Sequence, residues 1–266
     1  MKSRVVFQNL CWLKEDWKSH LSNVCYEQIT CPDCSSFNLK KNGKTKNKKQ
    51  KYFCKDCHKQ FITDYTYQGC RHFIRSLIVP MTLNNSGIRD IARVLRISVN
   101  TVLNEIRQAA AKLPPLKTPA KAQTVELDEF WSFVGSKSNQ RWTWLGVTSS
   151  TRRIGAVVNG RRTDKCCQEL LGKYQNSLIR EFASDDWQSY PKFVPSDLHY
   201  IGKDKTQRIE RTNLDFRLHL KRLNRRTIAF SKTTEMHDAV INLYVYHHNS
   251  GQHKLWNTTI FFSSNQ

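Results

Sequence analysis

Cys31-Pro-Asp-Cys34 and Cys54-Lys-Asp-Cys57 are two C-x-x-C pairs with 19 residues between them, and no other feature restricts the fold of this chain so tightly. Two cysteines at i and i+3 around a tight knuckle present both thiolates to one tetrahedral ion, and a second knuckle closes a four-sulfur shell. A segment of ~30 residues cannot build a sufficient core of its own, and metal binding replaces that core. The spacing therefore predicts a structural Zn²⁺ bound by Cys31, Cys34, Cys54 and Cys57 in a zinc ribbon over residues 30–65. His58 follows the last cysteine, but four sulfurs already fill the shell, so it reads as a surface residue. The chain has nine cysteines and opens without a signal-peptide pattern. The remaining five (Cys11, Cys25, Cys70, Cys166 and Cys167) thus read as thiols packed as small hydrophobes, not as disulfides.

The loop between the pairs holds Lys40, Lys41, Lys44, Lys46, Lys48, Lys49 and Lys51, seven lysines in twelve residues. On a zinc ribbon such a loop suits phosphate contacts, and Lys44, Lys46, Lys48 and Lys49 are the candidates. The excess charge continues along the chain, through Arg152–Arg153, Arg161–Arg162 and Arg225–Arg226, to a formal net charge of +21. Solubility needs only a few charges of either sign, whereas this excess favours a polyanion, and nucleic acid is the commonest one. No stretch approaches the ~20 apolar residues of a membrane span, so a membrane partner is not expected and the chain reads as cytoplasmic, on the nucleoid through DNA.

Leu113-Pro114-Pro115-Leu116-Lys117-Thr118-Pro119 lacks backbone donors at three of seven positions and reads as a linker at 113–119. Before it, residues 70–112 carry apolar side chains at helical spacing: Ile88, Ile91, Ala92 and Leu95, then Val99, Val102, Leu103 and Ile106. Arg96-Ile97-Ser98 makes a short turn with Ser98 as N-cap of the second helix. That pattern predicts a helix-turn-helix, with Asn100, Thr101 and Asn104 near the exposed start of the second helix, where amide and hydroxyl groups match base edges. Residues 1–29 form an N-terminal extension with no assigned role.

After the linker, Gln123–Val134, Arg141–Ser149 and Arg153–Asn159 read as a three-stranded meander. Asp164–Tyr174 reads as a helix, Ile179–Ala183 and Leu198–Ile201 as strands, and Gln207–Leu223 and Thr233–His247 as helices. That order predicts an RNase H-like α/β domain over 120–250, a mixed sheet flanked by helices, with a tail at 251–266. The expected whole is a multidomain α/β chain: zinc ribbon, helix-turn-helix, then this domain.

Three acids stand at informative places. Asp128 lies in the apolar strand Leu127–Phe133, where an unpaired carboxylate is costly to bury. Asp185 ends a second apolar run, and Glu210 opens a long helix. Two acids at strand ends and one on a helix can converge on two Mg²⁺ (or Mn²⁺) ions about 4 Å apart, the arrangement that serves phosphoryl transfer. Any one of them taken alone reads as readily as a salt-bridge partner. Arg217 follows Glu210 by seven residues, two helical turns along one face, and reads either as a contact to a DNA phosphate or as a solvated arginine.

These residues resemble the transposases of the insertion-sequence-one family. The resemblance rests on Cys31-Pro-Asp-Cys34-x-Ser36, the Cys54–Cys57 pair and the Gly87–Asn104 helices. It continues through Asp128-Glu129-x-Trp131-Ser132-Phe133-Val134-Gly135, Ser184-Asp185-x-Trp187 and Tyr190. Gln207-Arg208-Ile209-Glu210-Arg211-x-Asn213-x-x-x-Arg217, with Arg222-Leu223 and Phe230-Ser231, is its most specific part. Asp186 stands where the family pattern has glycine. The resemblance implies Asp128, Asp185 and Glu210 as the acidic triad, Mg²⁺-dependent strand cleavage and transfer, recognition of terminal inverted repeats in double-stranded DNA, and a homo-oligomer on DNA. Two other functions fit parts of the chain: a non-catalytic DNA-binding regulator, which leaves the triad idle, and an RNase H-like nuclease that cleaves without joining.

Overall fold

A computed structural model describes residues 29–224 and 226–251. Apart from residues 29 and 251, the extension at 1–29 and the tail at 251–266 lie outside the described residues. The chain divides into two compact units, Met1–Thr66 and Tyr67–Gln266.

The first unit is an antiparallel meander of β1 (Leu39–Lys44), β2 (Gln50–Cys54) and β3 (Gln60–Ile62). Its buried core is Cys31, Cys54 and Phe61, with Leu39, Tyr52 and Cys57 packed against it. Tyr52 and Phe61 are directly opposed across β2 and β3 and stack at 5.8 Å between centroids. Between Lys41 and Lys44 the register shifts, and Gly43 takes φ +68°, a conformation glycine adopts without strain. A core this small explains why half of it is cysteine.

The second unit opens with α1 (His72–Ser76), α2 (Ile78–Thr82), α3 (Ile88–Leu95) and α4 (Val99–Ala111). Arg96 ends α3 in the left-handed conformation, and Ser98 caps α4 by accepting from the backbone N–H of Thr101 at 3.0 Å. Residues 113–119 carry no regular structure. A five-stranded sheet follows, in the order β6-β5-β4-β7-β8. Its strands are β4 (Lys121–Val134), β5 (Ser136–Thr148), β6 (Ile154–Gly160), β7 (Leu178–Ser184) and β8 (His199–Ile201). β4–β5 and β5–β6 pair antiparallel, β4–β7 and β7–β8 parallel, so the sheet is mixed. α5 (Asp164–Gly172) and α6 (Ser189–Phe193) lie in the connections that lead to β7 and β8, and α7 (Gln207–His219) and α8 (Thr234–Asn249) follow.

β4 is central and covered on both faces, and strand alternation assigns its side chains to two cores. Val125 and Leu127 join Trp144, Ala156, Leu170 and Tyr190 on one side. Phe130 joins Leu145, Ile209, Phe216 and Tyr244 on the other. That second core also contains Ile91, Val102 and Ile106, so the helix-turn-helix helices are packed into the same apolar cluster as α7 and α8. The backbone N–H of Asn85 donates to the carbonyl of His219 at 2.6 Å, and Arg107 donates to Glu235 at 3.0 Å.

Three local outcomes differ from the sequence reading. The helix expected over Gln207–Leu223 stops at His219, Leu220 is extended, and Lys221–Leu223 forms a 3-10 turn. β5 begins at Ser136 instead of Arg141, because pairing with β4 holds an exposed polar stretch in strand form that local preference would leave as loop. Cys70 is exposed, not packed as a small hydrophobe.

Candidate active site and cysteine cluster

Asp128 lies on β4, Asp185 directly follows β7, and Glu210 occupies the first turn of α7, where the helix dipole favours a carboxylate. Because β4 and β7 are parallel neighbours whose pairing ends at Glu126 and Ala183, Asp128 and Asp185 each stand two residues beyond that last pair, at matching positions. Asp128 Oδ1 accepts from the backbone N–H of Glu129 at 2.8 Å, and Oδ2 accepts from Asn213 Nδ2 at 2.6 Å. Burial, then repulsion from Glu129, Asp185 and Glu210, pushes the Asp128 carboxyl up to about 7. The Asn213 bond holds the first turns of α7, where Glu210 lies, against Asp128. Asp185 Oδ1 accepts from the backbone N–H of Trp187 at 3.2 Å, and Asp186 is exposed. Glu210 is exposed, and Arg217 is half-buried further along α7.

Asn213 is three residues beyond Glu210, hence on the same helical face. It is the residue that ties α7 to Asp128. Its Oδ1 is the one buried side-chain nitrogen or oxygen without a hydrogen-bond partner among the described residues. The i, i+3 spacing from Glu210 was the available signal for it, and sequence reasoning gave it no role.

Glu129 was missed as well. It faces the opposite side of the sheet from Asp128, as its neighbour on a strand must. There Arg162 donates through Nε and Nη2 to Oε1 at 2.9 and 2.6 Å, and the Tyr190 hydroxyl donates to Oε2 at 2.8 Å. Burial raises the Glu129 carboxyl, against the lowering by Tyr190 and Arg162. Burial, with the Glu129 charge, holds the Tyr190 hydroxyl well above its ordinary range. The Arg162 guanidinium lies between the rings of Trp142 and Trp187, 4.8 and 4.6 Å from their centroids. Trp187 therefore links this clamp to Asp185, which its backbone N–H holds.

In the first unit the sulfurs of Cys31, Cys34, Cys54 and Cys57 all lie within 4.8 Å of one another. Cys31 and Cys57 approach to 3.4 Å, and Cys34 and Cys54 to 3.5 Å. The knuckles turn at Ser35 (φ 57°) and His58 (φ 59°), and His58 is exposed. Opposing its burial, the backbone N–H groups of Cys34 and Asp33 bring the Cys31 thiol down to about 7. Despite the N–H of Lys59, burial and the neighbouring sulfurs push the Cys57 thiol up to about 12. Four sulfurs this close cannot all ionise without a cation among them. Lys44, Lys46 and Lys48 are exposed around the β1–β2 hairpin, whereas Lys49 is tied to Asp64 by a 3.2 Å ion pair.

On α4, Asn100 and Asn104 are exposed. The Thr101 hydroxyl meets Ser98 Oγ at 2.9 Å and the Tyr67 hydroxyl at 2.8 Å. Tyr67 also accepts from the backbone N–H of Ser98 at 2.7 Å, and hydrogen bonding from Ser98 holds its hydroxyl below the ordinary range.

Residues 122–250 match the family described as IS1 transposase, and residues 65–109 match the one described as InsA C-terminal domain. The insertion element iso-IS1n protein InsB of Shigella dysenteriae is 48% identical over 123 residues, 46% of this chain and 94% of that protein. The insertion element IS1 protein InsB of Shigella flexneri is 41% identical over 120 residues, covering 45% and 92%. An InsB protein of Escherichia coli (strain K12) is 40% identical over 120 residues, covering 45% and 72%. The chain is therefore a DDE-type DNA transposase, an enzyme class that uses divalent metal, and its helix-turn-helix is a DNA-binding element. Within that class it belongs to the IS1 transposase family. Among the described residues no helix is long and apolar enough to cross a membrane.

Proposed function

We propose that Asp128, Asp185 and Glu210 are the catalytic acids, that they hold Mg²⁺ or Mn²⁺, and that residues 120–250 form an RNase H-like domain around them. The observation that supports this reading is the convergence of β4, β7 and α7: Asp128 and Asp185 stand at matching positions on and just beyond parallel neighbouring strands, and Asn213, three residues after Glu210, donates to Asp128 at 2.6 Å. A site that concentrates carboxylates against their own repulsion suits a divalent cation, which reverses the sign of the local field. The partnerless Asn213 Oδ1 adds a neutral oxygen donor beside Asp128. Bound there, the ions stabilise charge on the attacking and leaving oxygens of phosphoryl transfer.

The protein's own groups do the rest. Asn213 and the Glu129 N–H fix the orientation of Asp128, and Trp187 fixes that of Asp185. Arg217 holds a DNA phosphate beside the acids. Water first attacks a phosphodiester at the element end and releases a 3′-OH. That 3′-OH then attacks a target phosphodiester, and the displaced strand leaves with a 3′-OH of its own. The sulfur cluster of residues 30–65 suits a structural Zn²⁺. The helix-turn-helix of residues 70–112, with Asn100, Thr101 and Asn104, and the lysines of the β1–β2 hairpin bind the terminal inverted repeats. Residues 113–119 join the two parts, and the chain works in the cytoplasm as a homo-oligomer on DNA.

The test is a strand-transfer assay with labelled terminal-repeat duplex, target plasmid and Mg²⁺. Asp128→Asn, Asp185→Asn and Glu210→Gln should each abolish cleavage and joining while end binding persists. Retained joining in any of the three removes that acid from the triad.

A further inference from the structure

Arg222 is a buried cation, 8% exposed, at the turn that ends α7. Its Nη1 donates to Ser231 Oγ at 3.1 Å and to the carbonyl of Met236 at 3.0 Å. Burial lowers the guanidinium to about 10, and no carboxylate among the described residues offsets it. His237 lies behind, meeting Ser231 Oγ through Nδ1 at 3.1 Å and Ser132 Oγ through Nε2 at 3.0 Å. Burial, then the charges of Arg222 and Arg141, bring His237 down to about 3, so its ring is neutral.

The network fixes every proton in that chain. Ser132 donates to the carbonyl of Arg141 at 3.2 Å and so accepts from His237 Nε2. Nδ1 then accepts from Ser231, which accepts from Arg222. A neutral relay of this kind orients the guanidinium but supplies no negative charge. Buried charges are ordinarily paired.

The unmet partner is indicated by what Arg222 lines. With Trp131, Phe133, Arg217 and Asn224 it lines a shallow surface depression open to solvent. Nε and Nη2 of Arg222 take no protein acceptor among the described residues. Arg217 and Arg222 both line it, and Trp131, 41% exposed, is another of its lining residues. No acid lines it.

We infer that this depression binds an oxyanion of a DNA phosphodiester, with Arg222 as a preorganised positioning cation that sets which linkage reaches the acids. The inference rests on the reading of Asp128 and Glu210 as catalytic. Its reach can be estimated twice. From Asp128 to Trp131 is three residues of strand, about 10 Å. From Glu210 to Arg217 is seven residues of helix, also about 10 Å. At ~3.4 Å of duplex axis per nucleotide, the bound phosphate lies about three nucleotides from the scissile one.

The experiment scans single neutral methylphosphonate linkages along the element-end strand, and in a second arm along the target strand, with the full-length protein and Mg²⁺. An interference peak about three nucleotides from the reacting linkage is expected, cutting the rate about 10- to 100-fold, the range for one hydrogen bond to a charged group. The arm in which it falls identifies the source of the phosphate. Arg222→Gln keeps donors for Ser231 and Met236; it should slow the reaction on unmodified DNA by a similar factor and erase the peak. Arg222→Lys should restore part of both. A peak of undiminished size in Arg222→Gln, or no peak in either arm with the unaltered protein, overturns the inference. The second result stands even if Arg222→Gln does not fold. Absence of any Mg²⁺-dependent cleavage on unmodified DNA would instead sink the assignment of the acids.

Discussion

Replacing Asp128 by Asn should make the metal-free protein more stable while removing its activity. The fold raises this carboxyl from 3.8 to about 7, and a rise of about three units corresponds to about 4 kcal/mol. Asp128 is half-buried, so solvent screening trims this to about 2 kcal/mol. The sign follows from which form the fold disfavours. Below the unfolded value near 3.8 the side chain is neutral in both states and costs nothing. As pH rises toward about 7 the unfolded chain ionises first, and stability falls; above 7 the loss is complete. Asn carries no charge at any of these values. Rotation of the Asn213 amide also lets its partnerless Oδ1 accept from the new side chain, so the number of hydrogen bonds is kept. Urea denaturation in Mg²⁺-free buffer, followed by tryptophan fluorescence, should show Asp128→Asn ahead by about 2 kcal/mol at pH 8 and by about half that at pH 5.5. Added Mg²⁺ should then stabilise the unaltered protein by mass action and leave the variant unchanged. A variant less stable at pH 8, or an advantage that does not grow with pH, refutes the account of Asp128 as a carboxylate held against burial and repulsion.

Purified protein should carry about one zinc per chain, and Cys34→Ala should lose it; full zinc retention in that variant would remove the four-cysteine assignment. Asp185→Asn should abolish cleavage and joining with end binding intact, whereas Asp186→Asn, at an exposed position, should keep most activity; the reverse outcome means that the register through this motif is off by one residue. Binding to terminal-repeat DNA, measured by fluorescence anisotropy, should weaken steeply with salt, and Asn104→Ala should narrow the preference for that DNA over random sequence. An unchanged preference would reduce the helix-turn-helix to a non-specific clamp. Glu129→Gln should destabilise the protein by about 1 to 3 kcal/mol, since it leaves Arg162 without its carboxylate; a thermal melt that does not move would mean that the Arg162 clamp adds nothing to stability.

The cysteine pairs, the capping serine at the start of α4 and the order of elements after the linker were legible because each is a local signal. Spacing fixes where two sulfurs of a knuckle point, Ser98 caps its own helix, and short apolar, β-branched and aromatic runs between turns mark β4 and β7 as strands whatever surrounds them. The acids Asp128, Asp185 and Glu210 were legible as positions in motifs, and strand alternation alone already implies that Asp128 and Glu129 face opposite ways. What each faces was not legible. Asn213, Arg162 and Tyr190 are 85, 33 and 61 residues from the acids they bond, and nothing local marks such pairings. The same is true of Arg222, which the motif displays as one more basic residue of a chain carrying 43. Only the break of the helix after His219, and the burial of the turn beneath it, make it a buried cation with no carboxylate beside it among the described residues. The packing of Ile91 and Ile106 into one core with Val240 and Tyr244 was likewise settled in three dimensions. Hydrophobic burial is non-directional: the sequence specifies which faces must be covered, while the choice of what covers them belongs to the tertiary structure.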